Sequence, residues 1–194
     1  MSIIKNLSII FSLLTLTSVT FASSLYEIDS DNSIVTFSVT KKQYIVEPAT
    51  FEDVSGSIDK QGNVIISIDI NSVNSSNPIR DNRLIDMFFQ TEFFPEAIIS
   101  TKINPSILNS KQSIQKVKLN ATLEFYETKK DIVLEALVVK TGNKVVVTSL
   151  KSIIINAKMF NLPMDNLNAL SKVCGGITIS DIVPVNFVVT FQPK

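Results

Sequence analysis

The sequence contains no histidine, no tryptophan and a single cysteine, Cys174. Without an imidazole, the chain cannot form a Ser-His-Asp triad, a Cys-His pair, a histidine-ligated metal site or a histidine pH switch. A lone cysteine cannot close a disulfide within the chain, and we interpret Cys174 as a small residue beside a flexible turn. No pair of carboxylates is recognisable as a general acid and base. We therefore expect a protein that is not an enzyme and that needs neither a metal nor a cofactor.

The chain also lacks an excess of charge, since 18 basic residues stand against 18 acidic ones in a length of 194 residues. It offers no basic field that would gather nucleic acid, so nucleic acid is not an expected partner. The chain is instead rich in apolar residues. Hydrophobic residues make up 45% of the chain, and the mean hydropathy of +0.28 is high for a soluble protein. The placement of these apolar residues is therefore the main question.

Part of the apolar surplus lies at the amino terminus. Lys5 precedes an uncharged stretch over residues 7–20, and the small residues Thr20 and Ala22 suit a cut after Ala22. This pattern predicts a signal peptide over residues 1–22 and a mature domain over residues 23–194, periplasmic or secreted and without stable membrane insertion. The alternative is an uncleaved anchor, but the apolar core is short for a bilayer span.

A period of two runs through the rest of the chain. From residue 117 to residue 125, apolar odd positions alternate with polar even positions, as in a half-buried antiparallel strand. Further strands are predicted at 33–40, 51–59, 64–70, 97–104, 132–140, 145–155 and 183–191. Turns are predicted at 61–63, 104–106, 129–131 and 142–143, and Lys41-Lys42 and Lys129-Lys130 are placed in solvated turns. About eight to ten strands without regular strand-helix alternation predict one all-β domain, a sandwich or a barrel.

One or two short helices interrupt this pattern. Asn77 is a good N-cap and Pro78 suits the first helical position, so we predict a helix that continues from Arg80 to Phe89. A second helix is predicted over residues 165–172.

The segment after Asn77 is rich in aromatic residues, with four phenylalanines between residues 88 and 94. They either close one end of the sheet as ordinary core, or line a cavity that holds an apolar guest. Both interpretations can hold together. Arg80 and Asp81 in the same segment either contact a ligand head group or fix a turn through an ion pair and helix capping.

This segment resembles the signature of the YceI-like family. The resemblance rests on Arg80-Asp81, Leu84, Phe88-Phe89 and Phe94-Pro95, and on flanking matches at residues 26–29, 32–37, 54–56 and 119–123. The chain resembles a divergent member. It has Asn32 and Lys41-Lys42 where the family often has histidines, Ala157 where it tends to have arginine, and Asn161 and Tyr126-Glu127 where glycine is usual. Asn161 can adopt the left-handed conformation of a glycine.

The resemblance implies an extended, lipocalin-like antiparallel β-barrel of about eight strands. It also implies a long-chain ligand, such as a polyisoprenoid, an isoprenoid quinone or a fatty amide, held in an apolar channel. The expected lining residues are Phe37, Phe51, Leu84, Phe88, Phe89, Phe94, Leu119, Leu123, Phe160 and Phe187.

Two functional hypotheses follow. The first is an exported protein that carries, stores or sequesters a long-chain lipid in its barrel. In strands such as residues 132–139, both the odd-numbered and the even-numbered positions are largely apolar. This excess of apolar residues is consistent with an unfilled apolar interior. The alternative is a β-sandwich of the cell envelope that acts through its surface in adhesion or stress. The expected partners are a lipid ligand and, as an option, a second copy of the chain.

Overall fold

The computed structural model describes residues 24–194, and the predicted signal peptide lies outside this range. The strands are β1 Ser24–Ile28, β2 Ile34–Lys41, β3 Ile45–Phe51, β4 Val54–Asp59, β5 Asn63–Asp69, β6 Val73–Asn74, β7 Glu96–Lys102, β8 Ile114–Phe125, β9 Thr128–Thr141, β10 Lys144–Ser149, β11 Ile153–Asn156 and β12 Ile182–Pro193. The α-helices are α1 Pro78–Arg83, α2 Ser106–Asn109 and α3 Met164–Val173. A π-helix covers Leu84–Phe89, and 3-10 turns cover Ser30–Asn32, Ile70–Ser72 and Ala157–Phe160.

Eight strands close into an antiparallel barrel. The order around the ring is β1, β4, β5, β7, β8, β9, β10 and β12, and β12 pairs back onto β1 with Phe191 opposite Ile28. The predicted class, all-β with an extended antiparallel barrel, is confirmed. Ring closure also decides between barrel and sandwich, because pairing of the first and last strands leaves this ring without a free edge.

The remaining strands lengthen the barrel wall. β12 pairs with β1 and β2 along one edge and with β10 and β11 along the other. Since β1 and β2 are separated by the 3-10 turn, their partners β4 and β3 are separated as well, at Glu52-Asp53. The predicted strand at 51–59 begins too early, since Phe51 ends β3 and β4 starts at Val54, and the predicted single strand at 145–155 is wrong because it comprises two strands, β10 and β11.

The period of two places apolar side chains inside the barrel. In β8, Ala121 and Leu123 are buried, whereas Lys118 and Asn120 on the other face are exposed. β12 confirms the strand predicted at 183–191. Its Pro184, which lacks an N–H to donate, is the third residue and lies opposite Ile154 of the short strand β11.

Two turn predictions are wrong. The β8–β9 turn consists of Tyr126 and Glu127, both with positive φ, while residues 129–131 belong to β9. Such two-residue turns usually contain Asn or Gly, and without them the sequence carried no signal there. Lys41 ends β2 and is only 14% exposed, so only Lys42 of that pair lies in the turn.

The first predicted helix begins where expected, but it does not continue as an α-helix to Phe89. Asn77 caps α1, and its Oδ1 accepts from the N–H groups of Ile79 and Arg80 at 3.1 and 3.2 Å. After Arg83 the helix widens into the π-helix, in which Leu84 and Phe89, its first and last residues, are buried.

The second predicted helix is α3, and Asn161 does adopt the left-handed conformation, with φ of 55°. Within residues 24–194, no helix is long and apolar enough to cross a bilayer.

Candidate functional site

The barrel interior contains two apolar cavities along its length. The first cavity, of about 140 Å³, lies beneath the π-helix, and Phe37, Phe51, Phe88 and Phe89 are part of its lining. The second cavity, of about 70 Å³, lies toward α2 and is lined by residues such as Leu119 and Phe191. The lining is apolar apart from Ser180 and Asp181 in the first cavity and Thr101 in the second, and a volume near that of the first can hold a benzene-sized group. A longer guest must extend through both.

Ile99 of β7 and Phe187 of β12 line both cavities. These two side chains therefore form the junction between them, and the two cavities follow one another along the barrel. We call the two cavities together the channel. A flexible chain threaded through the channel must pass between Ile99 and Phe187, and rotation of these side chains sets the width at that point.

The aromatic residues of the first cavity form one connected cluster. The rings of Phe37 and Phe51 stack with centroids 4.9 Å apart, Phe51 lies 5.9 Å from Phe89, and Phe88 lies 4.9 Å from Phe89. Phe89 also contacts Phe125, at 6.1 Å. The structure thus brings together residues from β2, β3, β8 and the π-helix at one level of the barrel.

Most of the predicted lining residues face the channel. Phe37, Phe51, Phe88, Phe89 and Leu123 line the first cavity, Leu119 lines the second, and Phe187 lines both.

The other three predicted lining residues lie elsewhere. Phe160 is fully buried beside Phe125, with a centroid distance of 5.8 Å, and belongs to the wall. Phe94 packs on Tyr126 at 3.7 Å, outside the channel, because it belongs to the turn that follows the π-helix. Leu84 faces a separate chamber, described next.

This cationic chamber is defined by Lys41 of β2, Glu47 of β3, and Arg80 and Arg83 of α1, and it has a volume of about 380 Å³. Glu47 is its only carboxylate, and Oε2 of Glu47 is buried between two cations. Arg80 Nη1 lies 3.2 Å from that oxygen, and Lys41 contacts it from β2. The two contacts are ion pairs without hydrogen-bond geometry.

Arg80 and Asp81 do not form an ion pair with each other, so that part of the structural interpretation is wrong. Arg80 pairs with Glu47, whereas Asp81 Oδ1 accepts from the N–H and the hydroxyl of Ser75 at 2.9 and 2.5 Å. Consecutive residues of a helix point about 100° apart, and this separates the two charges. Asp81 thereby fixes the segment that leads into α1.

The sequence interpretation missed several residues of these cavities. Phe125 ends the alternating stretch 117–125 on its inward face, so the period of two could have included it. Ile99 lacked such a signal, since both neighbouring positions are also apolar or small. Lys41, Glu47 and Arg83 come together only through the fold, and their spacing along the chain does not show it.

Three carboxyl groups have a pKa below the ordinary value, and none of them lines the cationic chamber. Hydrogen bonds from Lys144 and, to a smaller extent, Asn32 lower the pKa of Asp29. A hydrogen bond from Asn63 lowers the pKa of Asp59, and one from Lys151 lowers the pKa of Glu135. Within residues 24–194, no group of three acidic or cysteine side chains is arranged to hold a metal ion. The features that suit a ligand are thus an apolar channel and an adjoining charged chamber.

The sequence matches the YceI-like domain over residues 26–191. The chain belongs to the YceI-like family. The resemblance found in the Arg80 to Pro95 segment is thereby confirmed, and it extends over almost the whole described chain. No curated protein matches this YceI-like chain in sequence.

Solved structures share the YceI-like fold. A polyisoprenoid binding domain from Saccharophagus degradans, described as implicated in plant cell wall breakdown, superposes with a TM-score of 0.84 at 24% identity, covering 89% of this chain and 100% of that one. Burkholderia cenocepacia BcnA gives a TM-score of 0.64 at 15% identity, covering 84% and 98%. A Campylobacter jejuni YceI protein gives 0.53 at 24% identity, covering 75% and 84%. At these identities, the likeness shows the fold.

Proposed function

We propose that this YceI-like protein is an exported carrier that encloses the apolar tail of one long-chain amphiphile, such as a polyisoprenoid, an isoprenoid quinone or a fatty amide. The observation that carries the proposal is the channel, two largely apolar cavities in series inside a closed barrel. No other cavity described in residues 24–194 has so predominantly apolar a lining. The name of the Saccharophagus degradans domain supports the same class of ligand.

The energetics suit a hydrocarbon tail. Each methylene removed from water contributes about 0.8 kcal/mol, so about ten of them give on the order of 8 kcal/mol before the cost of association. Tight binding therefore requires no polar contact in the channel. The number of buried methylenes supplies the free energy of binding.

The shape of the channel favours a slender guest. An eight-stranded barrel is wide enough for its own side chains or for one small ligand. The two cavities meet at Ile99 and Phe187, so a flexible single chain passes more easily than a rigid ring system of the same volume. A polyprenyl or acyl tail fits this description.

Export is part of the proposal. A carrier for a water-insoluble tail is useful in an aqueous compartment between membranes, and residues 1–22 carry the pattern of a signal peptide. The carrier role involves no covalent chemistry, so we propose binding and release as the activity, with no catalytic residue and no cofactor.

The test is the identification of lipid in native material. The full chain is expressed with its own amino terminus, purified from the periplasm without detergent, extracted with organic solvent and analysed by mass spectrometry. We expect one class of long-chain amphiphile, near one molecule per chain. Recovery of no such lipid, with no rise in melting temperature on adding prenyl or acyl lipids, would contradict the proposal and favour a protein that acts through its surface.

A further inference from the structure

The cationic chamber adjoins the channel. Phe37 of β2 and Phe51 of β3 line the first cavity, whereas Val39 and Ala49, two residues nearer the β2–β3 turn on the same inward face, line the chamber. The stacked rings of Phe37 and Phe51 therefore stand at the boundary between an apolar space and a charged one. An amphiphile that crosses this boundary has its tail on one side and its head group on the other.

The charge of the chamber is unbalanced. Its ionised side chains are those of Lys41, Arg80, Arg83 and Glu47, so three cations face one carboxylate and two positive charges remain. Asp81, the acidic residue on α1, is not itself part of the lining, but it accepts hydrogen bonds from Ser75, which is, so its charge lies behind the wall and offsets part of this surplus. A half-buried space with this balance attracts an anion, and its low polarity strengthens the attraction.

Arg83 carries the surplus charge most directly. Lys41 and Arg80 contact Glu47, but among residues 24–194 no carboxylate lies within ion-pair distance of Arg83. The polar contact of its side chain is a weak one, from Nη1 to Sγ of Cys174 at 4.0 Å. A guanidinium has five N–H donors and binds phosphate or carboxylate in a forked geometry, so Arg83 retains most of its capacity for an oxyanion.

The lining suits the junction of a head group and a tail. Apolar side chains, among them Ile79 and Ile179, form the wall beside the cations. Sites that orient a ligand commonly combine a largely apolar lining with a few placed polar groups. The chamber volume of about 380 Å³ exceeds that of either cavity of the channel, so it leaves room for a head group wider than the tail.

We infer that the cationic chamber binds the oxyanion head group of an acidic amphiphile, a phosphate or a carboxylate, through Arg83 with support from Arg80 and Lys41. The inference rests on the proposed function, because it places the head group next to a tail in the channel. It narrows the ligand class, since a quinone, an alcohol or an amide has no negative charge for these residues to bind. Free inorganic phosphate shares the head-group chemistry and is distinguished by the test.

The test compares three probes by isothermal titration calorimetry on the delipidated full mature chain: farnesyl phosphate, farnesol and inorganic phosphate. We expect farnesyl phosphate to bind at least about tenfold more tightly than farnesol, since charged hydrogen bonds are worth that much or more. Inorganic phosphate is expected to bind far more weakly than farnesyl phosphate.

Substitutions then locate the effect. Arg83→Gln is expected to weaken farnesyl phosphate binding about tenfold and to leave farnesol binding unchanged, and Arg83→Lys is expected to restore part of the loss. Lys60→Gln, which removes one exposed positive charge from the β4–β5 turn, is the matched control and should change neither affinity. Unchanged melting temperatures show that each variant is folded.

Each contrary outcome has a distinct meaning. Equal affinities for farnesyl phosphate and farnesol, or an equal loss of both in Arg83→Gln, would overturn the head-group inference and leave the carrier proposal intact. Inorganic phosphate binding as tightly as farnesyl phosphate would overturn it as well, because the chamber would then serve free phosphate. If neither prenyl compound binds, the proposed function fails together with the inference.

Discussion

The channel and the cationic chamber are built by different means. The channel is lined by the inward faces of barrel strands, with apolar residues at every second position of β5, β8 and β12. The chamber is assembled from side chains of β2, β3, α1 and α3, and it contains four charged groups. The first follows from a repeated local pattern, whereas the second depends on contacts between segments far apart in the chain.

This difference separates stability from selectivity. Channel residues sit in the core, where each loss of volume is costly, and they favour any slender apolar chain. Chamber residues are partly exposed, where an ion pair contributes little to folding. We therefore expect substitutions in the channel to change the stability of the protein, and substitutions in the chamber to change which head group it accepts.

The largest expected effect is on stability, in a comparison of one residue from each region. Phe191 of β12 is 3% exposed and lines the second cavity, so Phe191→Ala should lower the free energy of unfolding by about 3–5 kcal/mol. Arg83→Ala in the chamber should lower it by about 0.5 kcal/mol or less. Urea denaturation of both variants measures the difference, and similar losses in the two would break the comparison.

The next expected effect concerns the passage between the cavities. Ile99→Trp fills the junction, so bound lipid should be largely lost while stability falls by about 1–3 kcal/mol from overpacking. Ile98→Trp places the same ring on the outer face of β7, where the strand pairs Ile98 with Glu124. Lipid extraction and mass spectrometry compare the two, and full lipid content in Ile99→Trp would show that the tail lies elsewhere.

A smaller effect is expected from the chamber carboxylate. Glu47→Gln removes the negative charge beside Arg80 and Lys41, which frees both cations for an anion. The affinity for farnesyl phosphate should rise about fivefold, and the affinity for farnesol should not change. Calorimetric titration measures both, and weaker binding of farnesyl phosphate would mean that Glu47 holds the cations in the geometry that the head group needs.

The smallest effect concerns an ion pair that lies outside both regions, at the barrel seam. Lys144 Nζ donates to Asp29 Oδ2 at 2.7 Å, and this hydrogen bond holds the pKa of Asp29 below its ordinary value. A lowered carboxyl pKa stabilises the folded state at neutral pH, and this contribution is lost as the pH falls through the lowered pKa. The stability difference between the wild type and Asp29→Asn should therefore be positive near pH 7 and vanish in acid.

Thermal denaturation across the acid range measures this difference. A constant difference at every pH would contradict the assignment, because the effect would then come from packing instead of charge.

The contrast between the two regions also explains what the sequence could predict. The alternation over 117–125 and 183–191 predicts which side chains point inward, and Asn77 with Pro78 predicts where α1 begins. Such signals are local, since they depend on residues two to four positions apart. The family resemblance further predicts that the strands close into a barrel, which these local signals do not.

The chamber has no comparable signal. Glu47 and Arg80 are far apart in sequence, and Arg83 meets Cys174 because the π-helix that follows α1 packs against α3. Phe94 and Phe160 show the same limit, because a phenylalanine in a turn serves the wall or the channel according to the tertiary packing around it. Composition alone does not distinguish the two roles.

The central claim is that the channel is filled by a lipid tail, and a crystal structure of the protein purified without detergent tests it most directly. We predict continuous, chain-like density from the Phe37–Phe51 boundary, between Ile99 and Phe187, into the second cavity. A channel closed from end to end by its own side chains, with no density between them, would contradict the claim.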